Sequence, residues 1–291
     1  MQSSSCRVKF WGVRGSVPTP GAATVKYGGN TSCVEVRADG EIIVLDAGTG
    51  IRPLGLALAQ EFGDKPIELT LLITHTHWDH IQGFPFFGPA YEAKNHVHIL
   101  GYEGAKSGLD STLAGMMEST YFPIALGEMP GNIVIEELEN FDFSIGKVRA
   151  SAWVMNHPGL AVGYRLFTSK GSVAYLPDNE PFSQDEATAH NAKTNNEKLI
   201  EFIRGVDVLI MDAQYDCDEY QTHIGWGHGC VDDVVRLALA AKVKRLFLFH
   251  HDPGHDDARV DEMLAQARAL AASHGHTMTV EAAREGAEVE L

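Results

Sequence analysis

The sequence predicts a mixed α/β (α+β) chain in which two β-sheets pack face to face and helices lie outside. Three observations carry that prediction. Apolar runs of strand length cluster early in each half of the chain, with runs of helical period interleaved. The 291 residues are 44% hydrophobic and 21% charged, an ordinary globular balance that argues against wholesale disorder. No low-complexity tract, charge block or short repeat divides the chain, so residues 1–291 read as a single domain. A sheet-on-sheet core suits this order better than a wholly parallel, doubly wound sheet.

Taken in order, Arg7–Gly12, Cys33–Val36 and Glu41–Leu45 read as strands, and the last runs into the turn Asp46-Ala47-Gly48-Thr49-Gly50. Ile51–Phe62 reads as a helix because Leu54, Leu58 and Phe62 recur at i, i+4 and i+8. Leu69–Thr74 is continuously apolar and of strand length, hence a buried strand, and His96–Leu100 is another candidate. Residues 101–131 hold several Gly, the pair Met116-Met117 and Tyr121-Phe122-Pro123. They read as a helix and loop on the core, or as a lid or insertion that selects substrate or forms a homodimer contact. Val148–Val154, Gly163–Phe167 and Ser172–Leu176 read as strands, with a hairpin turn at Lys170-Gly171. Val206–Met211 and Arg245–Phe249 are apolar strands, and Val231–Ala241 and Ala258–His274 are helices.

The four cysteines, Cys6, Cys33, Cys217 and Cys230, form no C-x-x-C pair and are too sparse for a disulfide framework, so they read as buried free thiols. Met1–Phe10 has no apolar stretch of the signal-peptide kind. No apolar run approaches the roughly 18–20 residues that cross a bilayer. The expectation is a cytoplasmic protein with no membrane partner. Lys and Arg total 23 against 39 Asp and Glu, a net charge of −16. That disfavours a surface that coats nucleic acid, although a local cation can still hold a small anion. Fourteen histidines direct attention to metal ligation and proton transfer.

The most informative stretch is Thr74-His75-Thr76-His77-Trp78-Asp79-His80, directly after the apolar strand. His75 and His77 share a side at i, i+2, and Asp79 and His80 follow where a helix begins. Imidazole and carboxylate together suit zinc, with manganese or iron as alternatives. Further along, His157 follows a strand in Asn156-His157-Pro158-Gly159, Asp178 ends another in Tyr175-Leu176-Pro177-Asp178, and His250-His251-Asp252-Pro253 ends a late one.

His-x-His-x-Asp-His after an apolar strand, with Asp46, His157, Asp178 and His250 in that order, resembles the metallo-β-lactamase superfamily over roughly residues 7–285. The resemblance implies a four-layer αββα sandwich with two divalent metal ions at one edge. His75, His77 and His157 would hold one ion, Asp79, His80 and His250 the other, and Asp178 would bridge them. Asp46 would stand behind these residues and orient them. His250 is preferred to His251 because it directly ends the apolar run, and adjacent strand residues point to opposite faces.

Gly225-Trp226-Gly227-His228-Gly229-Cys230, just before a helix, resembles ribonuclease Z and its short relatives, among them the phosphonate-operon cyclic phosphodiesterase. There His228 would face the scissile phosphate, with Asp212 charging its imidazole. Asp212 has a rival role as the bridging ligand in place of Asp178. Gly28-Gly29-Asn30-Thr31-Ser32 resembles the opening of the same relatives; Asn30, Asn179 and Arg14 are candidate phosphate contacts. The implied activity is metal-assisted hydrolysis of a phosphodiester, with Asp79, Asp212 and His228 as catalytic residues. A small substrate such as a cyclic nucleotide or cyclic phosphate is favoured, because the chain lacks a basic Gly/Pro-rich arm for tRNA and carries −16 overall. Two divalent ions outweigh the carboxylates of Asp79 and Asp178 and make the pocket locally positive. The alternatives are hydrolysis of a lactone, thioester or other ester, and ribonuclease Z-like RNA processing.

Overall fold

The computed structural model describes residues 6–102, 108–181, 189–275 and 277–291. The first sheet contains β1 (Arg7–Gly12), β2 (Cys33–Ala38), β3 (Glu41–Leu45), β4 (Glu68–Leu72), β5 (His96–Gly101) and β6 (Asn132–Glu137). The second contains β7 (Asp142–Ile145), β8 (Val148–Val154), β9 (Val162–Phe167), β10 (Ser172–Leu176), β11 (Val208–Asp212), β12 (Arg245–Phe249) and β13 (Thr279–Ala282). The last strand, β14 (Glu288–Glu290), returns to the edge of the first sheet. The orders are β14-β1-β2-β3-β4-β5-β6 and β13-β12-β11-β10-β9-β8-β7. In each sheet an antiparallel stretch gives way to parallel strands, at β3–β4 in the first and β10–β11 in the second.

The helices are α1 (Ile51–Phe62), α2 (Trp78–Ile81), α3 (Gly108–Met116), α4 (Ala189–Phe202), α5 (Cys217–Tyr220), α6 (Val231–Ala240) and α7 (Asp257–Ser273). Three apolar clusters define four layers. Phe10, Ile43 and Leu45 of the first sheet meet Tyr164, Tyr175, Ile210 and Phe249 of the second. Leu54 and Leu58 of α1 and Leu109 and Leu113 of α3 cover the outer face of the first sheet. Val234, Val235, Met263 and Ala267 of α6 and α7 cover the second. The central strands are therefore buried on both faces: Val173 and Tyr175 enter the inter-sheet core, while Ala174 and Leu176 enter the helical one. This explains why these strands read as continuous apolar runs without alternation.

Most predicted elements are present, with ends shifted by one or two residues. Leu69–Thr74 stops at Leu72, and Val206–Met211 runs instead from Val208 to Asp212. Unforeseen are β6, β7, β13, β14 and α4. β6 is an edge strand with a largely exposed, charged face, and β14 spans three residues, so neither carries a strong apolar pattern. In the segment 101–131, α3 buries Leu109, Leu113 and Met117 while Tyr121 is exposed; residues 103–107 lie outside the described set. Cys6, Cys33 and Cys230 are buried, but Cys217 is partly exposed and its Sγ lies 2.8 Å from that of Cys230. No helix among the described residues is long and apolar enough to cross a membrane.

Candidate metal centre

The site forms at the edge of the sandwich where the parallel strands end. Leu176 of β10 pairs with Met211 of β11, and Asp212 pairs with Phe249 of β12. In-register strands bring the residues that follow them, Asp178 and His250, to the same edge as Asp212. In the first sheet Leu45 of β3 pairs with Leu72 of β4, so Asp46 and the segment from Thr74 emerge together. Asp46 accepts from the Thr74 backbone N–H at 2.8 Å and from its hydroxyl. His77 precedes the short α2, whose first turn carries Asp79 and His80.

Two donor groups that share Asp178 converge here, His75, His77, His157 and Asp178, and Asp79, His80, Asp178 and His250. A third, Asp212, His228 and His250, adjoins them, and within each group the candidate ligand atoms lie within 4.8 Å of one another. Nδ1 of His77 lies 3.0 Å from Nε2 of both His75 and His157. Nε2 of His80 lies 3.0 Å from Asp178 Oδ1 and 3.2 Å from Asp79 Oδ2, and Nε2 of His250 lies 3.1 Å from Asp79 Oδ2. Asp178, common to the first two groups, is 1% exposed.

Behind this layer, the outward ring nitrogens of four of the histidines each have an oxygen partner. His80 Nδ1 donates to Asp46 Oδ2 at 2.8 Å, and that carboxylate also accepts from the Tyr175 hydroxyl of the opposite sheet. His157 Nδ1 donates to the Gly227 carbonyl at 3.0 Å, and His250 Nδ1 to Gln214 Oε1 at 2.9 Å. His75 Nδ1 lies 3.1 Å from the Thr74 hydroxyl. These partners fix the tautomer that leaves the other nitrogen's lone pair for the centre. Gln214, Thr74, Tyr175 and Gly227 were not foreseen. Only Gln214 had a local signal, two residues past Asp212 at the end of an apolar run.

Backbone strain also marks the edge. Asp46, His250 and Ser16 all have φ near +60°, where non-glycine residues cost on the order of 1 kcal/mol or more. The Ser16 N–H donates to Asp79 Oδ2 at 2.8 Å, a contact with no sequence signature. A Cβ on Gly15 would sit 2.3 Å from the His250 ring, so only glycine lets this loop approach the ring.

The two adjacent histidines part company at the strand end. His250 joins the cluster, whereas His251 Nε2 donates to the Ala283 carbonyl at 2.8 Å and its ring packs edge-on against Tyr27. His228 Nδ1 donates to Asp212 Oδ2 at 2.8 Å, and its ring stacks on His250 with centroids 5.0 Å apart. Burial disfavours charge on His228, but the Asp212 carboxylate outweighs it and pushes the imidazole up to about 9. Asp212 is fully buried and is held by the backbone N–H groups of Gln214 and Gly229. Burial opposes ionisation of Asp178 too, yet His250, His80 and His75 hold it well below the usual carboxylate range.

The three candidate phosphate contacts take part in loop packing to different degrees. Fully buried Arg14 donates to the carbonyls of Gly28, Asp252 and His255, so it ties loops together. Asn30 Nδ2 donates to Glu285, and fully buried Asn179 accepts from the Asn156 N–H through Oδ1. Loop packing thus engages Asn30 and part of Arg14, whereas Nδ2 of Asn179 and one terminal nitrogen of Arg14 are buried with no hydrogen-bond partner.

The donor set fits divalent ions. His80 Nε2 and Asp178 Oδ1 are buried and 3.0 Å apart, yet neither has a hydrogen-bond partner, because both aim at a common point rather than at each other. Beside them is a pocket of about 280 Å³ lined by Ser16, His77, Trp78, Asp79, Asp178, His228 and His250.

Comparison with known proteins agrees with this geometry. The chain is 25% identical to ribonuclease Z of Thermoplasma acidophilum over 91% of its own length and 92% of that protein. It superposes on the metallo-β-lactamase fold protein YhfI from Bacillus subtilis with a TM-score of 0.68 at 16% identity, covering 99% of this chain and 100% of that one. A diphosphatase of the PhnP family gives a TM-score of 0.67 at 18% identity, covering 98% of each chain. The family model for the β-lactamase superfamily domain matches residues 42–251. Since that span runs through every converging residue from Asp46 to His250, the chain belongs to the metallo-β-lactamase superfamily.

Proposed function

We propose that this chain is a metal-dependent hydrolase of phosphodiesters, acting on a small diester such as a cyclic nucleotide or cyclic phosphate. The observation that carries this is the His228–Asp212 pair beside the two donor groups. His75, His77, His157 and Asp178 would hold one divalent ion, zinc in the first instance, and Asp79, His80, Asp178 and His250 the other. Such ions supply Lewis acidity toward phosphoryl oxygens and activate water at neutral pH. The chain's own residues do the rest. Asp212 fixes the His228 ring through Nδ1, leaving Nε2 as the nitrogen that carries a proton toward the pocket. A protonated Nε2 stabilises charge on a phosphoryl oxygen and donates to the departing alkoxide. The pocket's volume suits one nucleotide-sized group rather than a long strand.

A second reading, ribonuclease Z-like processing of RNA, is favoured by the likeness to the Thermoplasma protein along nearly the full length of both chains. The deciding experiment offers metal-loaded protein a cyclic-nucleotide panel, bis-p-nitrophenyl phosphate, a precursor tRNA, and lactone and thioester substrates. Turnover of the small diesters, with His228→Ala costing about 10²–10⁴-fold on cyclic nucleotides, supports the proposal. Selective cleavage of the precursor tRNA moves the assignment to RNA processing. Turnover of esters alone, indifferent to His228, overturns both readings.

A further inference from the structure

The chain has four tryptophans, and they divide into two kinds. Trp11 donates its indole N–H to Glu35, and Trp153 packs on Phe202 with centroids 5.6 Å apart. Trp78 and Trp226 are instead 64% and 59% exposed. Large apolar surfaces left in water beside a pocket mark ligand contacts more often than isolated exposed side chains do elsewhere.

Each is tied to the centre through its neighbours in the chain. Trp78 lies between His77 and Asp79 in the chain and lines the pocket. Its carbonyl accepts from the Gln82 N–H, but its indole makes no hydrogen bond or ring contact among the described residues. Trp226 precedes Gly227, whose carbonyl fixes His157. The rings of His77 and His157 are 4.9 Å apart, so the backbone segments that carry the two tryptophans both adjoin this pair of rings. A run of rings links Trp226 to the interior: it meets His223 edge-on at 4.7 Å, His223 stacks on Tyr215 at 4.4 Å, and Tyr215 meets His228 edge-on at 6.1 Å.

The Trp226 turn is also held in place. One carboxylate, Glu180, accepts from the N–H groups of Gly225 and Gly227, each at 2.9 Å, and from the Tyr220 hydroxyl at 2.6 Å. Gly227 has φ +90°, and a Cβ there would meet the His157 ring at 2.3 Å, so the turn lies directly against that ring. A planar aromatic surface held this way loses little freedom when a ligand stacks on it, which is the condition for useful stacking affinity.

We propose that Trp78 and Trp226 form a base-recognition surface at the mouth of the pocket, and that the substrate is consequently a nucleotide, with its nucleobase stacked on these indoles and its phosphate at the metal centre. Every nucleobase presents a π-face, so such a surface selects for a base while tolerating its identity. The inference rests on the phosphodiesterase reading of the same pocket and narrows it from cyclic phosphates in general to those bearing a base.

The test pairs adenosine 2′,3′-cyclic phosphate with glycerol 1,2-cyclic phosphate, which shares the five-membered phosphate ring and lacks the base. Wild type, Trp78→Ala, Trp226→Ala and the two Phe variants are assayed with two metal equivalents bound and with thermal stability checked. Each Ala variant raises KM for the nucleotide about tenfold more than for the base-less substrate and changes kcat less; each Phe variant recovers most of the loss. Calorimetric binding of adenosine monophosphate against ribose 5-phosphate reads the same surface without turnover. Wild type prefers the nucleotide, and the double Ala variant does not. Nucleotide preference in binding without cleavage of any diester sinks the phosphodiesterase reading and spares the stacking surface. Equal use of both cyclic phosphates by wild type, or equal effects of the Ala variants on both, overturns the stacking surface alone.

Discussion

His228 and His251 are both buried imidazoles, yet they fall on opposite sides of neutrality. Burial disfavours charge on each. Asp212 reverses the balance for His228, while His251 has only the Ala283 carbonyl and is repelled by Arg14, so it falls to about 3. The signs give two different pH profiles. His228 is charged below about 9, so hydrolysis of nucleoside diesters, whose alkoxide needs a proton, declines as pH rises through that value. Asp212→Asn moves this decline toward pH 6.5, and p-nitrophenyl diesters, whose leaving group needs no proton, show little of it. For His251 the folded value lies below the unfolded one near 6.5. Its neutral form therefore contributes stability that is complete above 6.5 and is lost as pH falls toward 3, by at most ~1.4 kcal/mol per unit. Denaturant titrations at pH 7 and 5 check this: His251→Gln, which keeps a donor for Ala283, loses less on acidification than wild type. The sequence singled out both histidines and ranked His250 ahead of His251 from position alone. What it lacked was the left-handed backbone at His250, which aims that ring at the centre while His251 pairs across to the Arg14 strand extension.

At the scale of elements, the approach of loops to the centre depends on glycine. Gly15→Ala would drive a methyl into the His250 ring, so the loop or the imidazole must move. The expected outcome is a folded protein that binds one metal equivalent instead of two, with kcat/KM lowered at least about tenfold, read by metal analysis and kinetics. Glu180→Ala loosens the turn that carries Trp226 and His228, and raises KM without removing metal. Neither loop's role was legible in the sequence, because each contact joins residues far apart in the chain. The strands that carry the cluster were legible for the opposite reason. Apolar runs lead without a polar interruption to each boundary: Leu71-Leu72-Ile73 to Thr74, Val208–Met211 to Asp212, and Leu246–Phe249 to His250. A polar residue at that boundary stands out against the run before it. Arg14, Asn30 and Asn179 gave no such contrast: they are polar residues in loops, and their engagement with carbonyls, Glu285 and the Asn156 N–H exists only once the loops are folded.

For the whole molecule, the donor groups clamp two layers together. His75, His77, Asp79 and His80 follow β4 of the first sheet, whereas His157, Asp178 and His250 follow strands of the second. Ions bound there would cross-link the sheets, and stripping them leaves the two buried carboxylates with only the neighbouring histidines as counter-charge. Chelation lowers the melting temperature; ions held at 100 times their dissociation constant would contribute about 2.7 kcal/mol. The same centre sets how an acidic chain meets an anionic substrate. With −16 overall, the surface repels phosphates at long range while the metal pocket attracts one at short range. A surface that grips RNA by Lys and Arg releases counterions, and its affinity falls with a log–log salt slope of about −0.7 per phosphate neutralised. A pocket that holds one phosphate through metal has at most a shallow slope, and screening of the chain's own charge opposes even that. Raising KCl from 50 to 200 mM should therefore change kcat/KM for a cyclic nucleotide less than about threefold. A precursor tRNA cleaved efficiently at 50 mM and orders of magnitude less so at 200 mM would reveal a phosphate-gripping surface, and the small-diester assignment would give way to RNA processing.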